Sequence, residues 1–487
     1  MRDQIGPHPR QEERDAVHPR PLSRRKFLEK SAMAMAGGIL FSCTGGKLKP
    51  SPTSVASSPA ATVETNTPIK HVIYLMLENR SFDNVFGRFP GVNGTTTGVY
   101  QGQEKRLIDC PDWLPSDLPH DRASALNNYA EGTNGGFGLG PYGPVWSFSQ
   151  FNSHHIPAYW QWAKDYAISD NFFASALGPS YPNHLYFVSG SSGGSIDNPE
   201  NIGTRIADTS GHGGGHFKSW GCDAVGTGVG GPFVFVKDDK GQLNKHETCF
   251  EMPTIGGALS KKGVDWAYYA PLPGYSGYYW NAFNGAAEVF HTDLWHEHAQ
   301  HNIDDLIGDI KGNKLKSVNW AVPYFEYSDH PPASSAFCHN WVQQIVNAVQ
   351  QSDLWDSTAI FITWDEWGGL YDHVVPPQID DEGLGFRVPL LTISPFTPKG
   401  LIDDELGEFS TPLRFISDNW GLPHISPRIK KTHNMSHLFD FSQNPQKPRM
   451  ATKKARTFGS AWTYPGDFPG WPTGTVPNPD GTGFPMA

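Results

Sequence analysis

The sequence predicts an α/β protein built on a mainly parallel sheet, and three observations carry that reading. Short runs rich in apolar and β-branched residues recur at 71–77, 264–269, 317–322, 358–364 and 387–394. Such runs, too short to cross a membrane, are the signature of strands buried on both faces. Segments with helical apolar spacing fall between and after them, at 340–354 (Trp341, Ile345, Val346, Val349, Leu354) and 412–420. Strands alternating with helices give a sheet whose crossovers lie on its faces. Two of the strand runs end abruptly in acidic clusters, Glu78-Asn79-Arg80 and Asp365-Glu366. In open α/β sheets, ligands bind outside the carboxyl ends of the strands.

The elements follow in order. Residues 1–43 contain Ser23-Arg24-Arg25-Lys26-Phe27-Leu28, a weakly apolar stretch at 32–41, then Ser42-Cys43. That order resembles a twin-arginine export signal ending in a lipoprotein processing box, and ten apolar residues are too few for a stable span. Lipidation of Cys43 would tether an exported protein to a membrane face. Residues 44–67 are Ser, Thr, Pro and Ala-rich and read as a linker. The folded domain is expected over 68–443, beginning near Ile69, with an extended Pro/Gly-rich tail over 444–487.

Within the domain, 88–156 reads as loop-rich. Gly178-Pro179 forces a turn before Ser180, and 185–188 continues as a helix-compatible run. A serine at that junction presents its hydroxyl near the positive end of a helix dipole, where phosphate binds well, although a plain N-cap would look the same. Residues 191–250 are glycine-rich and read as a long excursion shaping a rim.

Formal net charge is −11; residues 1–43 hold eight basic and five acidic groups, leaving 30 basic and 44 acidic, a net of −14, for the remainder. An acidic body argues against nucleic-acid binding. It leaves room for an anionic substrate, because a bound cation reverses the field locally. None of the five cysteines forms a CxxC pair, which argues against structural zinc. With Cys43 set aside, Cys222 and Cys249 close the shortest loop and are the expected disulfide in an oxidising compartment.

Glu78, Asn79, Asp365 and Glu366 are oxygen donors at two separate strand ends. Three carboxylates converging in one pocket repel one another unless a cation lies among them. Hard oxygen donors suit one divalent ion of the Mg²⁺, Mn²⁺ or Ca²⁺ class. His120, His330 and His373 each adjoin an aspartate (Asp121, Asp329, Asp372), which fits imidazoles contacting phosphoryl oxygens.

Four motifs occur in order: Glu78-Asn79-Arg80-Ser81-Phe82-Asp83, Pro179-Ser180-Tyr181-Pro182-Asn183, Asp329-His330-Pro331, and Asp365-Glu366-Trp367-Gly368-Gly369-Leu370-Tyr371-Asp372-His373. Together they resemble the bacterial phosphoesterase family of phosphatidylcholine-type phospholipases C and related acid phosphatases, within the alkaline-phosphatase-like superfamily. The resemblance spans nearly all of 69–441. It implies an alkaline-phosphatase-like sandwich with a central, mainly parallel sheet flanked by helices. It also implies a metal held by Glu78, Asn79, Asp365 and Glu366, with Ser180 as nucleophile through a phosphoserine intermediate. His330 would act at the leaving group or clamp phosphate, His120 would be its partner, and His373 would be structural. The substrate would be a phospholipid head group or a small phosphoester. Where family members often carry Asp-His-Thr-Ser before the late helix, this chain has Glu408-Phe409-Ser410-Thr411. The extra C-terminal β-domains of the larger phospholipases are not in the sequence, which weakens an expectation of lipid preference. The alternatives are an acid phosphatase acting on phosphomonoesters and, in another class, a non-catalytic surface-binding lipoprotein on the same fold.

Overall fold

The computed structural model describes residues 63–114, 116–206, 218–227, 230–238 and 240–456. The expected export signal, lipobox and Cys43 lie outside the described residues, as do most of the linker and the end of the tail.

Eight strands make the central sheet: β1 His71–Leu77, β2 Ala167–Ser169, β3 Trp266–Ala270, β4 His301–Asn302, β5 Val318–Ala321, β6 Thr358–Trp364, β7 Leu390–Ile393 and β8 Leu401–Asp403. Their order is β4-β3-β5-β1-β6-β7-β2-β8. All neighbours run parallel except β7, which is antiparallel to both β6 and β2. The α/β class with a mainly parallel sheet is therefore as expected. β1 and β6 are central and mostly apolar, with every residue of β6 and all of β1 after His71 buried. Burying each large side chain there contributes roughly 2 kcal/mol.

The helices cover the faces. Those used below are α1 Phe82–Phe86, α2 Ser180–Ser189, α3 Ser335–Gln350 and α4 Ser410–Trp420. The helix expected over 340–354 starts five residues earlier. Ser334 caps α3 by accepting from the Phe337 amide, and side-chain capping overrides the apolar pattern at a helix end. Every residue of α2 is buried, and it stops at Gly190 in the left-handed conformation (φ 64°).

The expected loops contain more order than their composition conveys. Residues 97–106 form a hairpin, 122–129 a helix capped by Asp121, and the glycine-rich excursion holds the hairpin of Val234–Lys237 with Leu243–His246. The Cys222–Cys249 disulfide ties that excursion together. The domain's hydrogen bonding starts slightly ahead of Ile69: the Thr67 amide donates to Asn419 Oδ1 at 3.1 Å. At the other end, residues 442–456 carry neither helix nor strand but lie along α3, where Gln343 donates to the Ala451 carbonyl at 2.8 Å. Among the described residues, no helix is long and apolar enough to cross a membrane.

Candidate active site

Register builds the site. β1 and β6 pair residue for residue from His71↔Thr358 to Leu77↔Trp364, so Glu78 and Asp365 leave adjacent strands at the same level. The Asp365 amide donates to the Leu77 carbonyl and the Asn79 amide to Asp365 Oδ1, both at 2.9 Å. Asn79 takes a left-handed backbone (φ 64°), a conformation asparagine tolerates better than most residues. The following turn crosses closely. A Cβ at Gly368 would lie 2.6 Å from the Asn79 carbonyl oxygen, so only glycine lets the Gly368 amide donate to Glu366 Oε2 at 2.7 Å.

Glu78 and Asp365 come together with His184, one ligand atom from each lying within 4.8 Å of the others, and Asn79 and Glu366 follow them at the two strand ends; all four oxygen donors expected from the sequence are fully buried. Each keeps one buried oxygen without a hydrogen-bond partner: Glu78 Oε2, Asn79 Oδ1, Asp365 Oδ2 and Glu366 Oε1. Buried unpaired acceptors are costly and rare, and four at one strand edge fit a hard cation. Without a cation, burial, and then the Asp365 carboxylate, hold the Glu78 carboxyl well above the ordinary glutamate value. Glu366 is raised in the same way by burial, against the pull of His120.

Ser180 opens α2 near Glu78, whose carboxyl it pulls down against the larger upward push of burial and Asp365. One turn on, His184 Nε2 lies 2.8 Å from Glu78 Oε1 and 4.0 Å from Asp365 Oδ2. Burial lowers His184 to about 4, so a neutral imidazole shares a hydrogen bond with Glu78. Sequence reasoning missed His184. Its i, i+4 spacing from Ser180 on a helix was the available signal.

Ser180, His120 and His330 line one cleft of about 470 Å³ with Asp117, Lys218 and a wall of Trp220, Tyr279, Trp280 and Phe325. The His120 and His330 rings are 5.6 Å apart. His120 Nδ1 donates to the Leu118 carbonyl at 2.7 Å, and its Nε2 sits 3.3 Å from Asn79 Nδ2. Burial would lower its pKa, but Glu366, Asp117 and Asp365 outweigh burial and push it up to about 9. A cation among those carboxylates would weaken that pull. Burial holds His330 below the ordinary imidazole value against Asp117, and its Nδ1 lies 2.7 Å from the Pro331 carbonyl.

Two neighbouring clusters are scaffolding. Asp329 is locked by Arg80 (3.5 Å) and by the Trp364 indole (3.1 Å). His373 sits outside the cleft, 2.6 Å from Asp83 Oδ2, in a buried network where Arg387 spans Asp83 and Asp372. In the divergent turn, Glu408 accepts from the Ser175 hydroxyl and, at 2.9 Å, the Ser410 amide, while the Phe409 ring is buried against Phe172.

A parallel sheet whose strand ends gather buried carboxylates beside a helix-leading serine has the parts of a hydrolytic centre. The chain belongs to the Phosphoesterase family, whose model matches residues 69–423. It is 26% identical to phospholipase C B of Mycobacterium tuberculosis over 88% of both chains. It is 24% identical to the hemolytic phospholipase C of Pseudomonas aeruginosa, matching 86% of this chain but 62% of that longer protein. Non-specific phospholipase C6 of Arabidopsis thaliana is 25% identical over 77% of this chain and 69% of its own length. Among solved structures, a protein in the alkaline phosphatase superfamily from Vibrio parahaemolyticus matches 79% of this chain and 75% of its own, at 11% identity and TM-score 0.33. Murine ectonucleotide pyrophosphatase/phosphodiesterase 5 matches 76% of this chain and 100% of its own, at 10% identity and TM-score 0.36.

Proposed function

We propose that the protein is an exported, metal-dependent phosphoesterase of phospholipase C type, cleaving phosphodiester head groups through a phosphoserine at Ser180. The observation that carries this reading is the set of four buried, unpartnered oxygens at the ends of β1 and β6, with Ser180 next to Glu78. The names of the relatives support the phospholipase class.

A divalent ion of the Mg²⁺, Mn²⁺ or Ca²⁺ class, held by Glu78, Asn79, Asp365 and Glu366, lowers the pKa of a nearby hydroxyl and offsets charge on phosphoryl oxygens. Ser180 Oγ forms a bond to phosphorus as the bond to the leaving alkoxide breaks, and the Ser180 hydroxyl proton reaches that alkoxide by way of the neutral His330 imidazole, which takes it up and passes it on. His120 clamps the phosphoryl oxygens. Water then attacks phosphorus, the P–Oγ bond breaks, and Ser180 regains its proton, releasing the phosphorylated head group. The aromatic wall gives the non-reacting part of the substrate an apolar surface.

Lys218 in the same cleft offers a cation to a phosphomonoester dianion, which supports acid phosphatase activity as a second reading. Retention of Ser180 beside all four oxygen donors opposes a purely binding lipoprotein. Hydrolysis of phosphatidylcholine, p-nitrophenyl phosphorylcholine and p-nitrophenyl phosphate, with and without chelator, tests the three. Chelator-sensitive cleavage of the diesters supports phospholipase C chemistry. Cleavage of the monoester alone selects the phosphatase, and no turnover with any metal rejects catalysis. Anchoring at a membrane face through lipidated Cys43 remains part of the proposal, tested by mass spectrometry of the exported N-terminus.

A further inference from the structure

A second cluster of metal-ligating side chains lies where β8 ends. β8 runs parallel to β1 four strands away, so its carboxyl end is on the same sheet edge but roughly 19 Å from Glu78. Asp403 closes the strand, and Glu405 follows in the next turn. His433 and His437, four residues apart, reach the same place from the segment after the last α-helix.

Hydrogen bonds set both imidazole tautomers. Asp403 is buried and fixed by the Ser169 hydroxyl at 2.7 Å. Its Oδ1 accepts from His437 Nε2 at 2.9 Å, so the proton resides on Nε2 and Nδ1 keeps its lone pair. The Met435 amide points at His433 Nδ1 from 3.3 Å, which marks that nitrogen too as an acceptor. Glu405 Oε2 is 3.9 Å from His433 Nδ1 and 3.7 Å from His437 Nδ1, and a cation at His433 would displace the Met435 amide from that nitrogen's single lone pair. One ligating atom from each of the three residues lies within 4.8 Å of the other two. In a tetrahedral zinc site, bonds of about 2.0–2.1 Å put ligand atoms roughly 3.4 Å apart, so the Glu405 oxygen must approach the two imidazoles by roughly 0.5 and 0.3 Å.

We propose that Glu405, His433 and His437 bind a divalent transition-metal ion of the Zn²⁺ class, separate from the oxygen-lined site at β1 and β6. Two imidazoles and one carboxylate favour borderline metals over Mg²⁺ or Ca²⁺. Asp403 plays the orienting role that carboxylates play behind metal-bound histidines. The ion would pin the loop after β8 to the chain's closing segment. This inference does not depend on the catalytic reading.

The test uses the full chain, stripped with chelator and refilled with Mg²⁺, then titrated with Zn²⁺ by calorimetry and assayed for retained zinc after gel filtration. Wild type is expected to hold one zinc and to gain thermal stability. Glu405→Gln, an exposed and fold-neutral change, weakens zinc binding by at least roughly tenfold. His433→Ala with His437→Ala abolishes it, while Asp365→Asn retains it. Equal zinc retention by wild type, Glu405→Gln and the double variant would overturn the proposal, as would no zinc on wild type.

Discussion

The Asn79 backbone amide donates to Asp365 Oδ1 at 2.9 Å, so the acidic ends of two strands far apart in sequence are fastened to each other before any ligand arrives. One Asp365 oxygen holds the turn and the other, buried and unpartnered, is left for a cation. Asp365→Asn keeps an acceptor for the Asn79 amide but removes a charge from the donor set. It is expected to reduce bound divalent metal from one per chain to a small fraction, with turnover falling at least about 100-fold. Elemental analysis alongside kinetics checks this, and unchanged metal content counts against the ligand assignment.

Ser180 is buried at the start of α2, one turn before His184, whose Nε2 lies 2.8 Å from Glu78 Oε1. Ser180→Ala removes one oxygen from a helix that is otherwise packed on every side. Turnover is expected to fall by about 10³-fold or more, with the melting temperature within a few degrees of wild type. Near wild-type kcat would reject Ser180 as the nucleophile.

Glu78 gives a pH signature. Its folded pKa is raised above the unfolded-chain value of 4.5, first by burial and then by Asp365. A group raised in this way takes up a proton on folding. Its stabilisation is complete below the unfolded value and is lost as pH rises through the folded value. The metal-free protein is therefore expected to lose stability as pH rises above the unfolded value of 4.5. Glu78→Gln, which carries no charge to desolvate, flattens that slope and stabilises the metal-free protein at pH 8 by about 1–3 kcal/mol. The metal needs the carboxylate form, so its stabilisation of wild type grows with pH over the same window. Thermal melts with and without metal measure both slopes, and parallel slopes for wild type and variant would contradict the charge assignment.

Arg387 is fully buried between Asp83 (3.2 Å) and Asp372 (3.1 Å) and also donates to the Asn93 and Asp170 carbonyls at 2.7 Å. Removing it leaves two buried carboxylates without their cation. Arg387→Ala is expected to cost about 3–5 kcal/mol in urea unfolding. Arg387→Lys recovers little, because an ammonium cannot reach the four acceptors in one plane. A loss under 1 kcal/mol would show that the network is not structural.

The long central strands were legible because a strand buried on both faces must be a continuous apolar run, as 71–77 and 358–364 are. The same runs ending in Glu78 and Asp365 marked the sheet edge that carries the cluster. Strand direction was not legible. Nothing in Leu390–Ile393 distinguishes an antiparallel strand from a parallel one, and β2 and β8, three residues each, are too short for any period. Ser180 stood out through its Gly-Pro turn, whereas His184 lay inside an apolar helical run and one histidine among 20 looks like another. The cluster at β8 was equally silent, because its carboxylates and imidazoles are about 30 residues apart and meet only through the closing segment.

Glu78, Asn79, Asp365 and Glu366 are expected to share one divalent cation beside Ser180. Anomalous diffraction from crystals loaded with Mn²⁺ tests it most directly. A single strong peak among those four side chains, within reach of Ser180 Oγ, is expected. Full manganese occupancy elsewhere, with no density between the ends of β1 and β6, would contradict it.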